Sequence, residues 1–194
     1  MSSTTLKDIF TSHRMELLEA VESLDSFHDD ILKVVSHMRE VFNANMTVYV
    51  AGNGGSATIA QHLSDEMVGR YKANRKPYPV VALTADSAVI TCIGNDYGYD
   101  QVFARQLEGL GKQGDMFIAY STSGNSENIL KAVEMAIERG MTTVAFTGKT
   151  GKLRDMVDVV VTSPAVSTAR IQELDLHGLH LLCEAFEDEN LSLK

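Results

Sequence analysis

Five short apolar, β-prone runs alternate with helical patterns along this chain, and this alternation limits the possible folds more than any other feature. The runs lie at residues 47–51, 80–84, 116–121, 142–147 and 157–162. Strands separated by helix-length segments pair in parallel, and their crossover helices cover both faces of the sheet. The sequence therefore predicts an α/β protein with a parallel sheet between two helical layers.

Two helical patterns precede the first run, at residues 5–24 and 27–43, and predict an N-terminal helical hairpin over about residues 4–44. Apolar residues recur at intervals of three and four in the second pattern and form one stripe. These residues are Ile31, Val34, Val35, Met38, Val41 and Phe42. The stripe can pack on the core or on another subunit, and such hairpins often build oligomer interfaces.

Two of the apolar runs end in small polar and glycine residues, with the sequences VYVAGNGGS at 48–56 and FIAYSTSGNS at 117–126. Each is typical of a strand that leads into the amino end of a helix, where unpaired amides bind anions. The second loop adds hydroxyl groups, and Gly124 permits close approach of the backbone to a ligand. An ordinary helix cap would use similar residues. Four hydroxyl residues in six positions exceed what a cap requires, so we expect a phosphorylated ligand.

Composition excludes several classes of function. The chain has 194 residues and a formal net charge of -9 without a basic run, which argues against non-specific nucleic-acid binding. Its first residues lack the pattern of a signal peptide and no apolar stretch approaches a membrane span, so we expect a cytoplasmic protein that does not associate with membranes. No linker divides the chain, which predicts one domain over residues 1–194. Cys92 and Cys183 are expected to be buried, reduced thiols.

The glycine loop at residues 52–55 is a weak candidate for a nucleotide site. It does not match GxGxxG, the chain contains no GxxxxGK[ST] sequence, and no acidic residue ends the run at 80–84. The loop is better suited to offer backbone amides and the Asn53 side chain to a sugar-sized ligand.

Histidines and carboxylates lie in two helical segments. His62 and Glu66 are four residues apart and share a helix face, where they could bind a metal ion or act as a base and its partner. A solvated helix often carries such a pair without any chemistry. In the segment 170–180, spacing alone favours pairs that include His177, whereas Gln172 and His180 lie about 12 Å apart along an ideal helix.

Four blocks together resemble the phosphoheptose isomerases (sedoheptulose 7-phosphate isomerases) of the sugar isomerase (SIS) domain group. They read AGNGGSATIAQHLSDEMVGRY, IGNDYGYDQVFARQ, STSGNS and ARIQE, in this order and spacing. The resemblance extends from about residue 4 to the end of the chain. It implies a three-layer αβα sandwich with a five-stranded parallel sheet, a homotetramer, and active sites near subunit boundaries.

The resemblance also implies roles for individual residues. It places the sugar phosphate at Asn53, Gly54, Gly55, Glu66, Asn95, Asp96, Ser121, Thr122, Ser123, Ser126 and Gln172. It places one zinc ion per subunit at His62, Glu66, Gln172 and His180. Glu66 and His180 are then the catalytic base and acid. His177 has no role in this set, and Asp175 stands where the family often carries a histidine.

The implied reaction interconverts sedoheptulose 7-phosphate and D-glycero-D-manno-heptose 7-phosphate through an enediol, as the first step toward ADP- or GDP-heptose. The product could serve lipopolysaccharide, capsule or a surface-layer glycan. Two alternatives stay open: a protein-binding module of the same fold, like the proteins that associate with the replication initiator, and an isomerase of another sugar phosphate.

Overall fold

The computed structural model describes residues 4–188, and in this range five strands form one parallel sheet. The strand order is β2-β1-β3-β4-β5. The strands are β1 (Val48–Gly52), β2 (Val80–Ala82), β3 (Met116–Ser121), β4 (Thr142–Thr147) and β5 (Val159–Thr162). The predicted parallel sheet is confirmed. The strand order reverses between β1 and β3, because β2 lies on one side of β1 and the strands β3 to β5 lie on the other.

Seven α-helices surround the sheet within the described range. They are α1 (Leu6–Val21), α2 (Asp25–Asn43), α3 (Gly55–Val68), α4 (Ser87–Asp96), α5 (Ala104–Leu110), α6 (Glu127–Glu138) and α7 (Thr168–Glu184). Short 3₁₀ helices occur at Tyr99–Gln101 and Lys152–Asp155. None of the helices in residues 4–188 is long and apolar enough to cross a membrane.

The period of two along each strand divides the core into two clusters. In β3, Met116, Ile118 and Tyr120 face the layer that contains α2, α3 and α7, whereas Phe117 and Ala119 face α4, α5 and α6. Successive side chains of a strand point to opposite faces, and both faces are covered here, so β3 is apolar throughout. The three-layer αβα sandwich is therefore confirmed.

The N-terminal hairpin is present, but the first helix ends at Val21, three residues earlier than predicted, and the start of the second helix also differs. The second helix begins at Asp25, two residues earlier than the apolar pattern indicated. Asp25 lies in the first turn, where its carboxylate complements the positive end of the helix. Strand β5 begins at Val159, later than predicted, because the backbone N–H of Thr143 donates to the Asp158 carboxylate (2.8 Å) before the ladder begins.

Candidate functional site

The two glycine loops are neighbours at the carboxyl ends of β1 and β3. Ligands of open parallel sheets bind where the strand order reverses, and here that crevice lies between these two strands. Asn53 and Asn128 join the loops by two side-chain hydrogen bonds of 2.8 Å, one in each direction. The hydroxyl of Tyr99 also donates to Asn53, at 3.0 Å. These amides fix the two loops relative to each other.

The first loop needs glycine because of its backbone and its close packing. Gly54 has φ of +55°, a conformation that other residues adopt at a cost, and it precedes the first residue of α3. A Cβ on Gly55 would lie 2.6 Å from Oε1 of Gln172 on α7. The absence of a side chain at Gly55 therefore lets Gln172 approach the amino end of α3.

The second loop has the predicted hydroxyl residues around a left-handed glycine. Ser121 is buried at the end of β3, and its Oγ lies 3.5 Å from that of Ser126. Ser123 accepts from the backbone N–H of Asn125, and Gly124 has φ of +62°. Helix α6 begins at Glu127, so its free amides follow Ser126. Residues 121–126, which we call the serine loop, therefore surround the amino end of α6.

The segment 148–152, which follows β4, packs against the serine loop. A Cβ on Gly151 would lie 2.4 Å from the carbonyl oxygen of Ser123. The backbone N–H of Lys152 donates to Asn125 (3.1 Å), and the N–H of Leu153 donates to Gly124 (3.0 Å). The conformation of the loop is thus fixed by backbone contacts from the β4 connection.

The histidine and carboxylate candidates meet between α3 and α7. Nε2 of His62 lies 3.2 Å from Oε1 of Glu66, and the His62 ring centroid lies 5.3 Å from that of His180 in an edge-on contact. His62 and Glu66 are partly exposed, with 36% and 23% of their side chains accessible. His62 therefore contacts both Glu66 and His180, and the three side chains lie in one region of a single subunit.

A mixed set of nitrogen and oxygen ligands is available there for a metal ion. His62 and Glu66 of α3 meet His180 of α7, whereas the Gln172 amide of α7 lies against Gly55 at the amino end of α3. Imidazoles and carboxylates are the ligands that zinc takes in catalytic sites. Ligand atoms of His62, Glu66 and the exposed Asp65 also lie within 4.8 Å of one another. Asp65 is a candidate ligand that the sequence did not indicate.

Asn95 and Asp96 lie at the exposed carboxyl end of α4. Asn95 donates to Asp96 at 2.7 Å, and the Cys92 thiol lies 3.7 Å from the other Asp96 oxygen. The chain then turns at Gly98 and reaches the loops through Tyr99. Cys92 is exposed, so the prediction of a buried thiol was wrong for this residue, because Cys92 lies on the outer face of a surface helix. Both cysteines are free, and Cys183 is buried as predicted.

Two residues after α3 contact the site and were missed by sequence reasoning. The ring of Tyr71 stacks on His180, with centroids 5.7 Å apart and an angle of 25°. Arg75 donates to the carbonyl oxygens of Glu66 (2.8 Å) and Met67 (3.0 Å) and pairs with Glu187 (3.3 Å). Their position in a loop without periodicity gave no signal of these contacts.

Burial shifts the pKa of several groups on α7 near the site. Desolvation raises the pKa of Asp175 to about 8, and neither of its carboxylate oxygens has a hydrogen-bond partner among the described residues. Burial likewise raises the pKa of the Cys183 thiol to about 12. Desolvation, followed by the charges of His28 and His180, lowers the pKa of His177. Desolvation therefore favours the protonated form of Asp175 at neutral pH.

Comparison with known proteins identifies the family of the chain. The family model of the SIS domain matches residues 10–148. A phosphoheptose isomerase of Shewanella loihica is 44% identical over 183 residues, which cover 92% of this chain and 91% of the relative. The phosphoheptose isomerase of Akkermansia muciniphila is 43% identical, covering 87% of this chain and 89% of that one.

The chain belongs to the phosphoheptose isomerase family. A solved structure of a phosphoheptose isomerase from Francisella tularensis superposes with a TM-score of 0.89 at 35% identity, covering 94% of this chain and 98% of that one. The family therefore extends over nearly the whole chain and includes both loops, α3 and α7.

Proposed function

We propose that this chain is an isomerase that interconverts sedoheptulose 7-phosphate and D-glycero-D-manno-heptose 7-phosphate. The observation that carries the proposal is the near full-length similarity to phosphoheptose isomerases, which spans about nine tenths of both chains. The arrangement of the site supports it, because a hydroxyl-rich loop lies at the reversal point of the sheet and a cluster of imidazoles and a carboxylate lies between α3 and α7.

The phosphate of the sugar binds at the serine loop in this proposal. Hydroxyls of residues 121–126 and the free amides of α6 hold it without a lysine, because a helix start carries a partial positive charge. The first glycine loop, with Asn53, lies beside it and contacts the hydroxyls of the sugar chain. Asn95 and Asp96 contribute to the same substrate site. Holding the phosphate end positions the reacting carbons at α3 and α7.

Proton transfer is assigned to Glu66 and His180. The Glu66 carboxylate removes a proton from carbon 1 of the ketose and returns it to carbon 2, while His180 moves a proton between the two oxygens. His62 orients Glu66 through their 3.2 Å contact, and the stacked ring of Tyr71 orients His180. Both reacting groups are thus held by a neighbouring side chain.

The proposed zinc ion, one per subunit, would be held by His62, Glu66 and His180, with Gln172 as a further ligand. When bound, zinc supplies Lewis-acid stabilisation of the negative charge that develops on the sugar oxygens. Because a carboxylate that holds a metal loses basicity, Glu66 would act as the base when it is not a metal ligand. Other divalent ions accept the same mixed ligands.

We also propose a homotetramer. Helix α1 exposes apolar side chains that a monomer would leave in water, including Leu6 and Phe10, which are 70% and 68% accessible. Clustered apolar surface of this kind marks an interaction site. A cytoplasmic location and a product that serves lipopolysaccharide synthesis stay predictions.

The test is turnover of purified protein with sedoheptulose 7-phosphate, with a pentulose phosphate and an amino-sugar phosphate in parallel, with and without a chelator. We expect isomerisation of the heptulose that the chelator abolishes and zinc restores. Faster turnover of another sugar phosphate would make that sugar, and not the heptulose, the substrate of the enzyme. An absence of turnover with any sugar, together with tight binding to a protein partner, would favour the protein-binding module.

A further inference from the structure

Two histidines outside the proposed sugar site face each other between α2 and α7. Nε2 of His28 lies 3.3 Å from Nε2 of His177, and both residues are half-buried. Their ring centroids are 5.6 Å apart with an angle of 52° between the planes. Neither residue has a role in the proposed isomerisation.

The distance between the two nitrogens matches the separation of two ligands bound to the same metal ion. Zinc lies about 2.0 to 2.1 Å from imidazole nitrogens, so two such ligands in tetrahedral geometry are about 3.3 Å apart. Hydrogen bonds from N–H groups have a usual range of about 2.7 to 3.2 Å. The observed 3.3 Å is compatible with a long hydrogen bond between the two rings and also equals the separation of two ligands of one zinc ion.

The packing of the two helices holds the imidazoles in this arrangement. A Cβ on Gly178 would lie 2.9 Å from the Phe27 ring and 3.2 Å from Ile31, so α2 and α7 are in closest contact beside the pair. Phe27 is fully buried, and its ring contacts His28 edge-on. The two ligands therefore come from rigid elements and need little rearrangement to bind an ion.

The chemistry of the pair defines the class of ion. Neutral imidazole suits zinc, copper and nickel, whereas calcium and magnesium prefer oxygen ligands. Desolvation and the neighbouring His28 and His180 lower the pKa of His177, which keeps that imidazole neutral and able to bind. The net charge of -9 favours the approach of cations.

We propose that His28 and His177 form a second binding site for a divalent transition-metal ion, with water completing the coordination, which fastens α2 to α7. With two protein ligands the site is weaker than one with four. The proposal is independent of the isomerase function and of the zinc site proposed at the sugar.

The test removes both histidines of the first ligand set, and the contribution of the pair is measured by comparing variants in that background. In full-length protein carrying His62→Gln and His180→Gln, zinc affinity is measured by competition with a chromogenic chelator. We expect one ion per chain, an affinity loss of about tenfold or more on adding either His28→Gln or His177→Gln, and no loss on adding His37→Gln. His37 is a matched control, since it is an exposed histidine on the same helix.

A second measurement needs no substitution in the pair. The same His62→Gln, His180→Gln protein is titrated with cobalt(II), and we expect the visible absorption bands of a tetrahedral site at one equivalent. The proposal is overturned if zinc affinity does not change on His28→Gln or on His177→Gln, or if no tetrahedral cobalt bands form. Loss of isomerase activity in these proteins is expected and has no bearing on the result.

Discussion

At the scale of single residues, Gly55 is the clearest link between backbone geometry and the site. The space that a Cβ would fill is occupied by the Gln172 amide, at 2.6 Å. We expect Gly55→Ala to push Gln172 away from α3 and to weaken zinc binding about tenfold, within the range for removed supporting contacts. The measurement is zinc affinity by chelator competition.

Gly109 offers a matched control for this substitution. It lies inside α5, and a Cβ there would meet no atom within 4 Å. Gly109→Ala should keep zinc affinity and raise stability by about 0.5 to 1 kcal/mol, because alanine is the better helix former. Equal zinc affinity in Gly55→Ala and wild type would show that Gln172 does not hold the ion.

Asp175 gives a prediction for the pH dependence of stability. The pKa of its carboxyl is about 8 in the folded protein and about 3.9 in an unfolded chain. Between these values the folded state keeps a proton that the unfolded state has released, so the free energy of unfolding falls as pH rises from about 4 to about 8. We expect Asp175→Asn to remove this component of the decline, measured by urea unfolding across that pH range.

The same change at an exposed position is the control. Asp155→Asn alters an exposed aspartate in the 3₁₀ helix after β4 and should leave the slope of stability against pH as it is in wild type. If Asp175→Asn and wild type lose stability in parallel as pH rises, the buried carboxyl does not retain its proton.

At the scale of elements, the loop after α3 connects both sides of the site. Arg75 donates to the carbonyl oxygens of Glu66 and Met67 at the end of α3, and its ion pair with Glu187 is nearly buried, with 8% and 10% of the side chains accessible. Lys72 adds an ion pair with Glu184 of α7. The loop thereby joins α3 to the end of α7 and holds Tyr71 against His180.

Removing Arg75 should destabilise the protein strongly. Arg75→Ala leaves the nearly buried Glu187 carboxylate without its cationic partner, although two backbone N–H groups still donate to it, and leaves the Glu66 carbonyl without the Arg75 donor. The loss of a cation from a pair of this kind costs at most about 3 to 5 kcal/mol. The measurement is urea unfolding at equilibrium. Arg105→Ala breaks an exposed ion pair with Glu108 and should have little effect. Equal losses in the two variants would contradict the role of the loop.

Sequence reasoning predicted elements better than it predicted contacts between them. The apolar, β-prone run at 116–121 identified β3, and the stripe of apolar residues in 27–43 identified α2, because local composition and periodicity report which residues are buried. Tyr71, Tyr99 and Asn128 escaped notice, since their partners lie far away in the chain and depend on how loops pack. The grouping of Gln172 with His180 came from family resemblance, because two residues eight apart on a helix carry no periodic signal.

At the scale of the whole molecule, the exposed face of α1 predicts assembly. Phe10 is 68% accessible in the single chain, and we expect it to be buried between subunits of a tetramer. Phe10→Glu places a charge in that interface and should shift the protein to smaller species, because an unpaired buried charge is costly. Sedimentation velocity measures the change.

Ser12→Glu is the control for this experiment. Ser12 is also exposed on α1, lies roughly on the opposite face of the helix, and the substitution adds the same single negative charge. It should keep the assembly of wild type. Identical sedimentation of Phe10→Glu and wild type would place the interface elsewhere.

The most direct test of the central claim is the kinetics of Glu66→Gln with sedoheptulose 7-phosphate. Glutamine keeps the size of the side chain and cannot accept the proton, so kcat should fall by about 10²- to 10⁴-fold, as for loss of a general base. Binding of the phosphorylated sugar, measured by calorimetry, should persist, because the serine loop is intact. Near-normal isomerisation by Glu66→Gln would contradict the assignment of Glu66 as the catalytic base.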